Sequence, residues 1–295
     1  MDSIHCEAFL AAADTGSFTA AAERLGYTQS GITRMIGSLE EELGFPLFLR
    51  SKRGVVLTDN GKNMIPLLRA VAKAERDVEE RSAEIRGMVC GTLHIGSYFS
   101  ISAMWLPQIL SRFLAAYPGI RVSVQEGSNA ELLHWFRERA VDCCFCASEN
   151  PEGPSGIDWI PLYRDELIMW LPESHPLARA SFYPVQNLNA ECFIHTHPGE
   201  DTDQDRLLAR WHLHPDTRFT TKEGFVTYQM VAAGLGISFH QRLISKEWHG
   251  RVFEVPFDPP QYISLGIAVP SLKEASPAAR RFIAFAREDQ VLKKA

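Results

Sequence analysis

The chain has 295 residues, of which 45% are hydrophobic and 22% are charged, so its composition is that of a globular protein and excludes a largely disordered one. Its length exceeds that of one ordinary domain and predicts two or three domains, each with its own core. The formal net charge of -6 excludes a chain that is basic throughout, but it leaves room for a local basic patch that binds nucleic acid.

The first residues contain neither the basic segment nor the apolar run of a secretion signal, and no later run is long enough to span a bilayer. We therefore expect a cytoplasmic protein that makes no membrane contact. The six cysteines are unevenly spaced, and such residues are usually buried and unpaired in a reducing compartment, so we expect free thiols.

Three short helices are predicted near the N-terminus. Apolar residues at helical spacing predict the first over 4–13, and an alanine-rich segment predicts the second over 18–25, with Ser17 as its N-cap. Thr28 is a suitable N-cap for the third helix. The glycines that can end the second and third helices are Gly26 and Gly44. Two helices joined by so short a turn form a helix-turn-helix.

A wing is predicted after the third helix. Residues 45–48 and 55–57 have the pattern of two short apolar strands around a polar hairpin at 49–54. In a winged helix-turn-helix the second helix of the motif, here the third helix of the chain, enters the major groove. Basic residues of the wing follow the DNA backbone or the minor groove. The side chains that we expect to contact DNA are Gln29, Ser30, Thr33, Arg34, Arg50, Lys52 and Arg53. Glutamine can pair with adenine and arginine with guanine, whereas short hydroxyls suit phosphates.

One long helix is predicted over residues 62–86. Met64, Val71, Val78 and Ile85 recur every seven residues, which is the spacing of a helix that packs against a partner helix. The stripe could instead pack on the protein's own core. The polar remainder of so long a helix favours a dimerisation helix that also links two domains.

Strands and helices alternate after Gly91. A first series over residues 92–147 has the order strand, helix, strand, helix, strand, and it predicts a parallel sheet; its first helix is predicted over 103–116. A second series over 167–239 predicts another α/β lobe. A last strand and helix, from 261 onward, are expected to return to the first lobe. The predicted fold class is therefore α/β with a two-lobed C-terminal region.

Five segments resemble the LysR-type transcriptional regulator family. Residues 17–25, 28–34, 39–44 and 57–61 read SFTAAAERL, TQSGITR, LEEELG and LTDNG, and residues 231–238 read VAAGLGIS. The family usually continues the last segment with an apolar residue and proline, where this chain has Phe239, His240 and Gln241.

This resemblance implies a winged helix-turn-helix domain at 1-60, a linker and dimerisation helix at 61-89, and an effector-binding domain at 90-295 that is similar to periplasmic solute-binding proteins. The first lobe of that domain would comprise about 90-163 with 268-295, and the second about 164-267. A homodimer or homotetramer is also implied.

The resemblance implies a small effector between the two lobes, and open parallel sheets likewise bind ligands beyond the carboxyl ends of their strands. The residues that we expect to line this site are Ser97, Ser100, Ser102, Ser128, His195, Thr196 and His197. Hydroxyls and free amides at helix N-termini favour an anion, so we expect a carboxylate effector. Ser102 and Ser128 could instead serve only as helix N-caps.

A metal-responsive regulator of the same architecture is one alternative. His195 and His197 could join a set of soft ligands made of Cys192, His212 and His214. Nothing in their spacing brings the two pairs of histidines together, and we expect no metal or other cofactor.

A redox-responsive regulator is the second alternative. Cys143, Cys144 and Cys146 form a cysteine-rich run, but they fall in a predicted buried strand, where thiols are inert. Core packing is the role that we expect for them.

Other classes of protein are less well supported. No motif of a serine hydrolase, a phosphate-binding loop or a zinc protease occurs, so we expect no enzyme. A solute-binding protein is opposed by the attached DNA-binding motif and the missing secretion signal, and a nucleoid architectural protein would need no effector cleft. We expect a sequence-specific regulator of double-stranded DNA whose effector shifts the balance between lobe arrangements.

Overall fold

A computed structural model describes residues 2–51, 54–150, 153, 157–246, 248–273 and 275–288. These residues form two compact units. The first unit contains residues 2–91, 135–140 and 276–278, and the second unit contains the other described residues. None of the helices in the described part of the chain combines the length and the apolar character that a bilayer span requires.

The first unit begins with three capped helices, α1 (Ser3–Thr15), α2 (Phe18–Leu25) and α3 (Gln29–Leu43). The side chains of Ser17 and Thr28 accept hydrogen bonds from backbone amides in the first turns of α2 and α3, which supplies partners for otherwise free donors. Left-handed glycines follow the three helices at Gly16, Gly26 and Gly44. The predicted helix-turn-helix is therefore confirmed.

The wing is an antiparallel hairpin of β1 (Phe48–Ser51) and β2 (Gly54–Leu57). The predicted limits of its first strand were wrong, because residues 45–47 precede the strand and residues 49–51 belong to it. The cause is the carboxylate of Glu40, which accepts hydrogen bonds from the amides of Leu47 and Phe48 at 2.7 and 3.1 Å. A side chain of α3 thus fixes the backbone where the sequence pattern suggested a strand.

The long helix α4 (Asp59–Ile85) follows the wing and has 27 residues, with Thr58 as its N-cap. Leu68 and Ala72 on its first half are buried in the core of the first unit. Its start lies close to the residue that precedes β1, since a Cβ atom added at Gly61 would be 2.2 Å from the carbonyl oxygen of Leu47.

The strands after α4 are β3 (Gly91–Ser97), β4 (Ile120–Glu126), β5 (Cys143–Ser148), β6 (Asp158–Pro172), β7 (Tyr183–Pro184), β8 (Cys192–Thr196), β9 (Asp216–Thr221), β10 (Ser238–Gln241) and β11 (Val252–Val269). The helices are α5 (Phe99–Met104), α6 (Leu106–Ala116), α7 (Asn129–Arg137), α8 (Asp203–Arg210), α9 (Gly224–Ala232), α10 (Arg242–Ser245), α11 (Pro277–Glu288) and a 3-10 helix (Val185–Ala190).

A mixed sheet organises these elements. Its strand order is β10-β6-β11-β5-β3-β4, with β7 beside β11, while β8 and β9 form a separate parallel pair. β3 and β5 are parallel, as the first series of elements predicted, whereas β11 is antiparallel to both β5 and β6. The α/β fold class is confirmed.

Two long strands run through both lobes. β6 and β11 pair from Val252 opposite Pro172 to Val269 opposite Asp158, and only the last part of β11 also pairs with β5. The first lobe therefore contains β3, β4 and β5, and the second contains β7 to β10. The predicted last strand is the second half of β11.

The predicted helix over 103–116 is two helices in the structure. Trp105 ends α5 and precedes α6, and Pro107 lies in the first turn of α6. Proline lacks the N–H that a helix interior needs, so it favours a helix start at this point.

Candidate nucleic-acid interface and ligand cavity

The polar residues predicted to read DNA lie in the first two turns of α3. Gln29, Ser30 and Arg34 are exposed, and Thr33 is half-buried. The Thr33 hydroxyl donates to the backbone carbonyl of Gln29 at 2.9 Å, and the Gln29 amide nitrogen is 3.4 Å from the Thr33 hydroxyl oxygen. Arg34 forms no ion pair with any residue that the structure describes. Its guanidinium keeps its donors available for a partner outside the chain.

The opposite face of α3 is fixed to the core. Ile32, Ile36 and Leu39 are fully buried in the cluster that also contains residues of α1, α2 and the wing. The ring of Phe48 lies 5.4 Å from the ring of Phe9 and 5.4 Å from that of Phe18, measured between centroids. A rigid support of this kind holds the exposed face of α3 in one orientation.

Arg50 is the wing cation within the described residues. Its guanidinium lies 5.2 Å from the centroid of the Phe18 ring and 3.7 Å from the Glu40 carboxylate. These contacts orient the side chain but leave half of it exposed. Lys52 and Arg53, the other predicted wing contacts, lie outside the described residues.

The seven-residue stripe of α4 divides into two parts. Met64 and Val71 are half-buried and pack against the core of the first unit. Val78 and Ile85 are 65% and 78% exposed. Aliphatic side chains that are exposed at helical spacing are suited to packing against a second helix.

A cavity of about 260 Å³ lies in the second unit. Its walls are the segments that follow the carboxyl ends of β3 and β4 in the first lobe, together with those that follow β8, β9 and β10 in the second. This is the part of an α/β sheet where ligands usually bind.

The structure places four of the seven predicted effector residues along this cavity, namely Ser100, Ser128, Thr196 and His197. The other three side chains lie elsewhere. The Ser97 hydroxyl is buried 3.4 Å from the carbonyl oxygen of Tyr98, and the imidazole of His195 lies 3.0 Å from the Asp205 carboxylate. The Ser102 hydroxyl is buried without a hydrogen-bond partner among the described residues.

Of the serines expected to hold an anion, the two that line the cavity already form hydrogen bonds within the chain. The hydroxyl and the amide of Ser128 both contact the Glu131 carboxylate, at 3.1 and 2.9 Å, in the arrangement of a helix capping box. The hydroxyl of Ser100 donates to the side-chain carbonyl of Gln241 at 2.6 Å. The side-chain nitrogen of Gln241 in turn donates to Asp203, also at 2.6 Å. This relay joins the first lobe to the second.

A second polar network surrounds Thr196. Its amide donates to the side-chain oxygen of Gln204 at 2.8 Å, and its hydroxyl lies 3.1 Å from Nε2 of His240. The imidazole of His240 stacks on the indole of Trp170 with centroids 4.3 Å apart. Burial lowers the pKa of His240 to about 3, so the ring is neutral and can form hydrogen bonds without adding charge.

Carboxylates dominate the charge of the cavity. Those among its lining residues are Glu126, Glu131, Glu200, Asp201, Asp203 and Glu223, whereas Lys222 is the one lysine or arginine among them. Burial raises the pKa of Asp203 to about 6. Burial, and next to it the nearby charge of Glu223, raises the pKa of Glu126 above its ordinary value.

Several cavity residues were missed by the sequence analysis. Asp203 belongs to the acidic run Glu200, Asp201, Thr202, Asp203, and this clustering of carboxylates was a readable signal. His240 and Gln241 lie in the segment where this chain departs from the usual LysR-type sequence, and this departure was a second signal. Gln204 carries no such signal, because its importance depends on a distant partner, Thr196.

The geometry gives little support to a metal site or to thiol chemistry in the predicted cysteine-rich run, although Cys90, outside that run, is exposed. Among the described residues, no group of three or more His, Cys, Asp and Glu side chains is placed to hold a metal ion. The side chains of Cys143, Cys144 and Cys146 are buried, and burial raises the pKa of Cys144 strongly and that of Cys146 to about 12. Thiols of this kind stay protonated and react slowly.

Two family descriptions match the chain. "Bacterial regulatory helix-turn-helix protein, lysR family" matches residues 4–62, and "LysR substrate binding domain" matches residues 86–290. The second match alone covers more than half of the 295 residues.

Relatives and solved structures agree with these matches. The chain is 33% identical to the HTH-type transcriptional regulator YvbU of Bacillus subtilis over 285 residues, which is 95% of this chain and 96% of YvbU. It is 32% identical over 171 residues, 58% of this chain and 89% of the relative, to a probable hydrogen peroxide-inducible genes activator of Mycobacterium xenopi.

The fold is similar to that of a full-length OxyR variant from Pseudomonas aeruginosa, with a TM-score of 0.77, 22% identity and coverage of 99% of this chain and 96% of that one. It is also similar to full-length CbnR in a complex with its target DNA, with a TM-score of 0.66, 20% identity and coverage of 97% and 99%. These likenesses concern the fold. Taken with the two family matches and the capped helix-turn-helix, they lead to one conclusion: the chain belongs to the LysR family of bacterial transcription regulators.

Proposed function

We propose that this protein binds specific double-stranded DNA through α3 and the wing, and that a small molecule in the cavity of the second unit changes this activity. The observation that carries the proposal is the exposed polar face of α3, which includes Gln29 and Arg34 and which a fully buried apolar face holds rigidly. A protein that binds chromosomal DNA works in the bacterial cytoplasm.

The proposed DNA contacts differ in kind. Gln29 and Arg34 are suited to base edges, because each can form two hydrogen bonds to one base, while Ser30 and Thr33 are suited to phosphates. Arg50 keeps an exposed guanidinium and suits the backbone, as we also propose for Lys52 and Arg53. Selection of binding sites from random duplex DNA tests the proposal, since a family regulator should enrich one sequence and lose that enrichment when Arg34 is replaced by alanine.

The cavity supports an effector role because it combines a volume of about 260 Å³ with polar side chains from both lobes. Ser100, Ser128, Thr196 and His197 are the predicted residues that we retain as effector contacts. The carboxylate preference predicted from the sequence is not favoured, because Ser128 is already bound to a carboxylate of the chain and the lining is mainly acidic.

We also propose that the protein is a homodimer, or a pair of dimers, joined through α4. The support is the exposure of Val78 and Ile85 in the described structure. Two-fold assemblies suit operators with two half-sites, since each helix-turn-helix then reads one half.

A peroxide-responsive regulator is the second candidate, because one similar protein is named a probable hydrogen peroxide-inducible genes activator. Such chemistry needs an accessible thiolate. The buried thiols of Cys144 and Cys146 are unsuited to this chemistry. The test is to measure DNA affinity before and after treatment with peroxide. An unchanged affinity would remove this candidate. A change in affinity that dithiothreitol reverses would establish it over the small-molecule effector.

A further inference from the structure

We propose that the effector of this regulator is an organic amine, and that its ammonium group is received by the carboxylate of Asp203. This inference deepens the proposed function and rests on its effector cavity. It reverses the sign of charge that the sequence had suggested.

Asp203 is placed to receive a positively charged donor. Its side chain lines the cavity while the residue is only 8% exposed. One carboxylate oxygen, Oδ2, accepts a hydrogen bond from Gln241 at 2.6 Å, but the other, Oδ1, has no hydrogen-bond partner among the described residues. A buried carboxylate oxygen without a donor is costly, and an ammonium group in the cavity would supply both the donor and the opposite charge.

The other acidic residues differ in how far they are already paired. Glu131 contacts Ser128, and Asp201 accepts two hydrogen bonds from Arg206 at 2.8 and 2.6 Å. Glu200 lies 3.1 Å from the imidazole of His197. Six carboxylates line the cavity, and the cations placed against them are Lys222, in the lining, and Arg206, which is bound to Asp201. The cavity therefore keeps an excess of negative charge.

The positive features nearby are already matched by the chain itself. The N-terminus of α8 carries Asp203 and Asp205 in its first turn, and Asp205 forms a capping box with Thr202. The N-terminus of α7 carries Glu131. Because helix N-termini attract negative charge, an anionic effector would have to displace these carboxylates.

The lining distinguishes an organic amine from a metal ion. No described group of three or more ligating side chains has the geometry of a metal site. The cavity is also lined by the apolar groups of Tyr98, Phe99, Phe239 and Ile244, which suit the hydrocarbon part of a ligand. Aromatic faces additionally attract ammonium groups. A volume of about 260 Å³ suits a small molecule.

An ammonium group would also favour a closed arrangement of the lobes. Glu126 is the last residue of β4 in the first lobe, and Glu223 precedes α9 in the second. The two carboxylates repel each other, which contributes to the raised pKa of Glu126. A cation between the lobes reduces this repulsion in the closed state more than in an open one. Such differential stabilisation is what an effector needs in order to shift a conformational equilibrium.

The test is calorimetric titration of the full-length protein with pairs of compounds that match in size and differ in charge: butylamine and butanoate, benzylamine and benzoate, diaminobutane and succinate. We expect amines to bind more tightly than their matched acids, by a factor of about ten or more.

Asp203→Asn keeps an acceptor for Gln241 and turns the amide nitrogen toward the cavity, so it should lower amine affinity by about tenfold or more. Glu173→Gln, at an exposed carboxylate outside the cavity, should leave amine affinity unchanged.

A second variant guards against misfolding. Glu223 is exposed, so Glu223→Gln should fold normally and should weaken diaminobutane more than butylamine. Equal or tighter binding of the acids, no binding of any amine, or amine affinity that neither cavity variant changes would overturn the amine assignment.

DNA binding measured in parallel separates this failure from failure of the proposed function. If acids alone bind and alter the affinity for the selected DNA, the regulator remains and the amine assignment falls. If the chain selects no DNA sequence, the proposed function itself fails, whatever the cavity binds.

Discussion

Arg34 is the residue of α3 that is best placed to bind a partner outside the chain, since it is exposed and forms no ion pair with the described residues. Arg34→Ala is expected to cost about 1–3 kcal/mol on the selected DNA site, the range for a two-bond contact to guanine. Binding to random DNA should change much less. Fluorescence anisotropy on both DNAs measures the difference, and Arg218→Ala, in the second unit, is the control for a general loss of positive charge. Equal losses on both DNAs would make Arg34 a phosphate contact.

Asp203 gives a prediction of pH dependence. Burial raises its pKa to about 6, against about 3.9 for an unfolded chain. A carboxyl whose pKa is higher in the folded state favours folding below the lower value, and this advantage is lost as the pH rises through the higher one. Without ligand, Asp203→Asn should therefore be more stable than the parent above about pH 6, by on the order of 2 kcal/mol, and equal to it near pH 4. Urea unfolding at both pH values checks this. A pH-independent difference would show that the carboxyl does not titrate between them.

The partners of these residues explain how far sequence could predict the site. Ser128 and Glu131 are three positions apart, and the pattern Ser-x-x-Glu is a known helix-start signal, so their pairing was readable. Ser100 and Gln241 are 141 positions apart, and their hydrogen bond depends on the packing of two lobes. The sequence could thus predict which strand ends lie near the cavity. It could not predict the charge of the cavity or which of its polar groups are already hydrogen-bonded within the chain.

At the scale of elements, the first half of α4 packs on the core of the first unit, and its second half carries the proposed contact with another subunit. Val71 packs on the core of the first unit, so its replacement would test folding, whereas Val78 and Ile85 are exposed. Val78→Asp with Ile85→Asp is expected to convert oligomers to monomers, because two buried charges in a helix pair would oppose association. Sedimentation velocity measures the mass. Glu79→Lys, about 100° around the helix from Val78, should leave it unchanged. An intact oligomer in the double variant would assign the interface to another surface.

Two glycines of the first unit should respond oppositely to alanine. A Cβ atom at Gly61 would lie 2.2 Å from the Leu47 carbonyl oxygen, so Gly61→Ala should destabilise the unit by about 2 kcal/mol or more. Nothing lies within 4 Å of a Cβ atom at Gly37, inside α3, so Gly37→Ala should stabilise it by about 0.5–1 kcal/mol. Thermal unfolding of both variants gives the comparison. Similar shifts of the same sign would contradict the close approach at Gly61.

The limits of α2 and α3 were predictable because their causes are local. Ser17 and Thr28 cap α2 and α3 from the adjacent position, and Gly26 and Gly44 end them. The start of β1 was misplaced because Glu40, on another element, holds the amide of Leu47.

At the scale of the whole effector-binding region, the relay from Ser100 through Gln241 to Asp203 joins the two lobes. Ser100→Ala removes the donor to a buried carbonyl and should lower stability by about 1–3 kcal/mol. Ser102→Ala is a matched control two residues away, because its buried hydroxyl has no described partner to lose, and it should be neutral or slightly stabilising. Urea unfolding ranks the two. If both variants lost equal stability, the relay would not be a significant link between the lobes.

The junction between α1 and the wing bears on how such regulators could be recombined. The carbonyl oxygen of Gly16 accepts a hydrogen bond from the amide of Val55 at 3.0 Å, and a Cβ atom at Gly54 would lie 2.6 Å from that same oxygen. Both glycines also have positive φ angles, 63° and 124°. A wing transplanted from another regulator would therefore fit only together with that regulator's own turn after α1. The smallest module that can be exchanged is thus discontinuous, because it consists of the turn after α1 and the wing.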